Sequence, residues 1–205
     1  MIKLHHISYR FFSKIGLAAL LSCTVLTATH GQYVDLLWGR LAHYPLNRSA
    51  EDISGNEIHG TLSGTLPAAG REGKEGHALS FDGEEDYIRC GNRFPSIGPA
   101  VAVSCWIRTG DSEGYRHLVS KYDFAADAGF ILGIKNDQVL WAGRTGSGQF
   151  TQLTSLTRVD DNEWHHLVGI IEGSSWSLYL DGKLENSLDT GLPGTDLSSD
   201  ASLSM

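Results

Sequence analysis

Val101-Ala102-Val103-Ser104-Cys105-Trp106-Ile107 and Trp164-His165-His166-Leu167-Val168-Gly169-Ile170-Ile171 are largely apolar at odd and even positions alike. Successive side chains of a strand point to opposite faces, so a run that is apolar on both describes a central strand of packed sheets rather than an exposed edge. Val103, Cys105 and Ile107 then face one way, with Ala102, Ser104 and Trp106 facing the other. This reading places Trp106 and Trp164 in the core, because aromatic side chains in apolar company mostly fill interiors.

Working outward from these two runs, short apolar stretches recur at Leu41 to Leu46, His77 to Phe81, Asp86 to Cys90, His117 to Tyr122, Phe130 to Ile134, Gln138 to Ala142, Gln149 to Leu153, Trp176 to Leu180 and Lys183 to Asn186. No long period-3.6 pattern interrupts them after residue 32, which excludes a helical architecture. Lys135-Asn136-Asp137, Glu172-Gly173-Ser174-Ser175 and Asp181-Gly182 are short enough for hairpins, and Asp-Gly suits a type I′ turn, whose two central residues need positive φ. Residues 51–75 read as one long loop. With 24 glycines and strands at this spacing, the predicted class is all-β, a two-sheet antiparallel sandwich or jelly roll.

The N-terminus has a different composition. Lys3, Arg10 and Lys14 precede an uncharged apolar run from Ile15 to Ala28. That order is the pattern of an export signal, and the run is shorter than the roughly 20 residues that span a bilayer. Residues 1–31 are therefore expected to be a signal peptide, residues 32–205 the domain, and the destination secreted, periplasmic or cell-surface. Leu20-Leu21-Ser22-Cys23 supplies a second reading, a lipoprotein anchored through Cys23. Removing three basic residues and no acidic ones takes the formal net charge from −8 to −11. Phosphate backbones call for basic patches, so nucleic acid is excluded as an expected partner.

The series Leu41-Ala42-His43-Tyr44-Pro45-Leu46-Asn47, Glu51-Asp52-Ile53-Ser54-Gly55-Asn56 and Ala78-Leu79-Ser80-Phe81-Asp82-Gly83-Glu84-Glu85-Asp86-Tyr87-Ile88 resembles the opening of laminin-G-like domains of the concanavalin-A-like lectin and glucanase superfamily. Val103 to Ile107, Leu118-Val119-Ser120-Lys121-Tyr122, Trp164 to Val168 and Leu178-Tyr179-Leu180-Asp181-Gly182-Lys183 keep that family's order. The resemblance implies a jelly-roll sandwich used outside the cell as a binding or spacer module, for carbohydrate or for an extracellular protein, or as a structural domain of a larger exported protein. It also implies a closing strand beyond Leu203 that this sequence lacks, so a C-terminally truncated sandwich with an open sheet edge and marginal solubility is expected. A structural calcium is a further family feature, for which Asp52, Ser54, Asn56 and the carbonyl of His59 are the candidates. A plain turn in which Asp52 and Asn56 bond nearby backbone is the competing reading.

For catalysis, Glu84-Glu85-Asp86-Tyr87-Ile88-Arg89 approaches the superfamily's glucanase motif but has Arg89 where the second catalytic Glu would stand. A glycosidase needs two carboxylates, so no enzyme is expected. His165 and His166 are adjacent on a strand and point apart, which disfavours joint chelation. Cys90 and Cys105 are either a disulfide, as export allows, or two buried thiols. Tyr115, Tyr122, Trp141 and Trp176 fall near strand ends or hairpins and are the candidates for stacking on sugar rings.

Overall fold

Every regular element in the described residues is a strand. In chain order they are β1 (Ile2–Arg10), β2 (Arg40–Tyr44), β3 (Thr61–Ser63), β4 (Leu66–Ala68), β5 (Ala78–Phe81), β6 (Tyr87–Arg89), β7 (Ala100–Thr109), β8 (Tyr115–Asp123), β9 (Ala128–Lys135), β10 (Gln138–Arg144), β11 (Phe150–Arg158), β12 (Trp164–Glu172), β13 (Ser175–Leu180) and β14 (Lys183–Asp189). The structure, a computed structural model, describes residues 1–10, 39–91, 100–110, 113–125, 127–144, 149–191 and 201–205, with the backbone alone at 6–10. The apolar run from Ile15 to Ala28 and Cys23 lie outside the described residues.

The three predicted hairpins form. Asn136 and Asp137 join β9 to β10 at φ 46° and 73°, and Asp181 and Gly182 join β13 to β14 at 50° and 78°. Positive φ at both central residues matches the turn's twist to that of the strands. Gly173 and Ser174 close β12 onto β13, with Glu172 opposite Ser175. The long loop expected at 51–75 contains two short strands, β3 and β4. Three residues each, they are too short to leave a periodic signal.

One sheet runs β14-β13-β12-β7-β1-β5-β4, with β2 also paired to β1. Facing it are the sheet β11-β10-β9-β8 and the ladder β3-β6. The last residues connect those two. Ser204 and Ser120 exchange backbone hydrogen bonds of 2.8 Å, and the Met205 and Ile88 N–H groups donate to each other's carbonyls at 3.0 and 2.7 Å. Leu203 and Met205 are thereby buried beside β6 and β8.

In the full chain a strand pairs with the first predicted strand, where an open edge is expected of the domain without its leader. Ile2–Arg10, which the export reading assigns to the leader, forms β1 and lies between β7 on one side and β5 and β2 on the other. Ile2 and Leu4 point into the core while Lys3 and His5 remain half exposed. The same alternation that suits a strand is hidden, in a linear reading, by the apolar run that follows it.

Side chains from both sheets fill the core. Trp141 from β10 and Trp176 from β13 meet across it with ring centroids 5.9 Å apart. Gly169 of β12 lies under Trp141, and a Cβ there would come within 2.4 Å of the indole. Gly169→Ala is expected to cost about 1–3 kcal/mol in a urea melt, because the indole must shift in a close-packed interior.

Trp106 and Trp164 are not core residues. Both are half buried on the outer face of the large sheet, where Trp106 stacks on His166 at 4.8 Å beneath the Arg71 guanidinium at 3.9 Å. Their apolar strand neighbours do not reveal that polar side chains from other segments would cover them.

Candidate functional site

The rule that alternate residues share a face builds a surface cleft from β3 and β6. Thr61 pairs with Arg89, Leu62 with Ile88 and Ser63 with Tyr87. Ile88 is fully buried and Leu62 packs on the core, so Thr61, Ser63, Tyr87 and Arg89 are left on the opposite face. The ladder is buried on one face and wet on the other. There it floors a cleft of about 710 Å³ whose other wall is formed by Glu57, Ile58 and His59. Tyr87 is 40% exposed, and the Arg89 guanidinium lies 5.3 Å from the centre of its ring.

The wall is shaped by the loop singled out as a calcium candidate. Asp52 is buried at 4% exposure and accepts four hydrogen bonds: from the backbone N–H of His43 (2.8 Å), Ser54 (2.9 Å) and Ile58 (3.1 Å), and from the Ser54 hydroxyl (2.8 Å). Its own N–H donates to Nδ1 of His59 at 3.2 Å, and Asn56 Nδ2 donates to the carbonyls of Arg40 and Leu41. The Tyr44 hydroxyl completes the support, donating to the Ile58 carbonyl at 2.6 Å. Burial opposes ionisation of Asp52, but donors from His43, Ser54 and Ile58 outweigh it and hold the carboxyl below its ordinary range.

The four calcium candidates are thus brought together around the Asp52 carboxylate. Calcium takes six to eight oxygens, and here N–H and O–H donors already occupy the carboxylate of Asp52. The Ser54 N–H on Asp52 closes an Asx turn, and the donors from His43 and Ile58 tie that turn to the neighbouring segments. Millimolar calcium is expected to leave the melting temperature of the full chain unchanged in a calorimetric scan.

The remaining candidates separate. Cys90 and Cys105 are unbridged and buried, and burial raises both thiols, Cys90 to about 11. Neither is a thiolate at neutral pH. Trp141 and Trp176 are at most 1% exposed, so neither offers a ring face to a ligand. Their positions near hairpins gave no sign of which face they take. Tyr115 is exposed in a separate recess with Glu84 and Asp86. There Asp82 N–H donates to Asp86 and Glu84 N–H to Asp82, so these acids build a turn. Tyr122 donates to Asp127 and packs edge-on to the exposed Phe124 at 5.1 Å. His165 and His166 point apart, His165 to Asp161 and Asp181 and His166 to Trp106. Tyr87, Arg89, Thr61 and Glu57 were missed as a site. The exposed-buried-exposed alternation of Tyr87-Ile88-Arg89 was the available signal.

The Laminin_G_3 family, described as the concanavalin A-like lectin/glucanases superfamily, matches residues 82–204. The chain belongs to this superfamily. Among solved structures, the binding domain of Paraclostridial Mosquitocidal Protein 1 is similar over 75% of this chain and 40% of that one, at 19% identity and a TM-score of 0.60. The binding domain of botulinum neurotoxin serotype D is similar over 76% of this chain and 39% of that one, at 14% identity and TM-score 0.58. A structure titled for botulinum neurotoxin type C cell entry through two ganglioside molecules follows at 12% identity, 76% and 39% coverage and TM-score 0.55. This chain thus spans about two fifths of those structures. No curated protein matches it. These likenesses place the laminin-G-type chain in the jelly-roll sandwich fold.

Proposed function

We propose that this laminin-G-type domain is a non-catalytic extracellular binding module and that the cleft between β3–β6 and residues 57–59 takes a glycan. The observation that carries the reading is the exposed Tyr87 ring beside the Arg89 guanidinium, with the Thr61 and Ser63 side chains in the same cleft. An aromatic face stacks on a sugar ring, hydroxyls bond its hydroxyl groups, and a guanidinium pairs with an acidic sugar's carboxylate in bidentate fashion. Glu57 is the only carboxylate lining the cleft among the described residues, so the pair that glycoside hydrolysis requires is not assembled there. The solved binding domains with the same fold, one titled for ganglioside interaction, support a binding role. Export to the cell exterior belongs to the same reading and rests on the leader pattern at residues 1–31. Among the described residues no helix is long and apolar enough to cross a membrane.

A glycan array probed with the full chain tests the proposal. Tyr87→Ala and Arg89→Ala are each expected to weaken the strongest array ligand about tenfold, or about 1.4 kcal/mol, with the melt unchanged because both side chains lie outside the core. An array with no binding, or binding that neither substitution alters, would overturn it.

A further inference from the structure

The surface that carries the cleft does not end at β6. Arg89 forms a β-bridge with Ser204, and Ser204 forms one in turn with Ser120 of β8, so β6, the last residues and β8 make one continuous sheet. Partners across a ladder share a face, which puts Arg89, Ser204 and Ser120 in one row on the outer surface of that sheet. Ser120 pairs with Ile131 of β9, and Tyr115 pairs with Lys135 of the same strand. Residues an even number apart along a strand share a face, so Tyr115 and Lys135 stand on the same outer surface as Tyr87 and Arg89.

Tyr115 repeats the arrangement that marks the cleft. It is 56% exposed, and the Lys135 ammonium lies 5.0 Å from its ring centre, as the Arg89 guanidinium lies 5.3 Å from that of Tyr87. The recess beside it has a volume of about 190 Å³, little more than a quarter of the cleft's, and Glu84, Asp86 and His117 also line it. Asp86 is held by the Asp82 N–H, whereas the Glu84 carboxylate has no partner among the described residues. The Leu203–Met205 segment separates β6 from β8, so Tyr87 and Tyr115 are about 10 Å apart across the sheet and about 7 Å along it. That separation exceeds one sugar ring and suits an oligosaccharide.

We propose that the Tyr115 recess is a second subsite for the same ligand, an inference that rests on the glycan reading of the cleft. The ligand is then an oligosaccharide that combines an acidic unit with a neutral one. The acidic unit stacks on Tyr87 with its carboxylate at Arg89, and the neutral, hydroxyl-rich unit stacks on Tyr115. Glu84 accepts hydrogen bonds from the hydroxyls of the neutral unit. Together with Asp86 it repels a second carboxylate, which gives the recess its preference for an uncharged sugar.

Ligand-observed NMR titration of the full chain tests the second subsite with defined sugars. The probes are glucuronic acid and N-acetylneuraminic acid, a trisaccharide of each in which the acid terminates two neutral hexoses, and a trisaccharide of glucuronic acid alone. A mixed trisaccharide is expected to bind about three- to tenfold more tightly than its own acidic monosaccharide and than the all-acidic trisaccharide. Tyr115→Ala and Glu84→Gln should each reduce that gain and leave monosaccharide binding unchanged, whereas Tyr87→Ala weakens monosaccharide and trisaccharide alike. If neither mixed trisaccharide gains over its monosaccharide, or if the gain survives both Tyr115→Ala and Glu84→Gln, the second subsite is wrong while the cleft stands. Equal or tighter binding of the all-acidic trisaccharide would overturn the neutral unit. Failure of every probe to bind would sink the glycan reading of the cleft and the second subsite with it.

Discussion

Trp141→Ala is expected to lower stability by about 3–5 kcal/mol, the cost of removing a large aromatic side chain from a core that cannot fully collapse. Trp141 is fully buried, touches Phe130 and Trp176 at ring distances of 5.6 and 5.9 Å, and donates through Nε1 to the Ile170 carbonyl at 3.3 Å. For a domain of this size the loss corresponds to roughly 6–20 °C in melting temperature. Calorimetry of the full chain reads it directly. Trp176→Phe is the control. The Trp176 Nε1 has no hydrogen-bond partner among the described residues, so the smaller ring forfeits packing but removes an unsatisfied donor. Its cost is expected to stay below about 1.5 kcal/mol. Equal losses for the two variants would mean that the sandwich is not clamped through Trp141.

Asp52→Ala is the second large effect. It leaves the N–H groups of His43, Ser54 and Ile58 without their acceptor at a site that is 4% exposed. Stranding buried donors costs about 1–3 kcal/mol each before relaxation and water entry, so a total of about 3–5 kcal/mol is expected. The carboxyl is held below its ordinary range in the folded state, so its contribution has a definite pH window. It is fully present above the unfolded value of about 3.9 and is lost as pH falls through the lower, folded value. Wild type should therefore lose stability below about pH 4 more steeply than Asp52→Asn, which keeps the shape and one acceptor but cannot titrate. Urea midpoints measured across that range decide it, and parallel acid limbs would show that Asp52 is not the group responsible. Because the Asp52 carboxylate also holds the N–H of Ile58, which lines the cleft, Asp52→Asn is expected to weaken glycan binding as well.

Much of the fold was legible along the chain, because strand periodicity and turn chemistry are local. Asp181-Gly182 announces its turn through backbone preference alone, and Val101 to Ile107 reads as an interior strand from its own residues. The family order added the jelly-roll topology. What a residue faces is not local. Trp106 and Trp141 sit in similar apolar strands, yet one is half exposed under Arg71 and the other is sealed against Trp176, because each neighbour arrives from elsewhere in the sequence. The Asp52 loop reads equally as an ion site or a turn until the positions of the His43 and Ile58 N–H groups are known, since only they show where its lone pairs go.

The sequence by itself determined an all-β sandwich with its hairpins. Only the tertiary structure decided the partners of β1, the joining of Leu203–Met205 to β6 and β8, and the cleft that gathers Tyr87 and Arg89 opposite Glu57. The physical reason is the same in each case. Backbone pairing and cleft walls are made between segments far apart in sequence, and their complementarity exists only once the chain has brought them together.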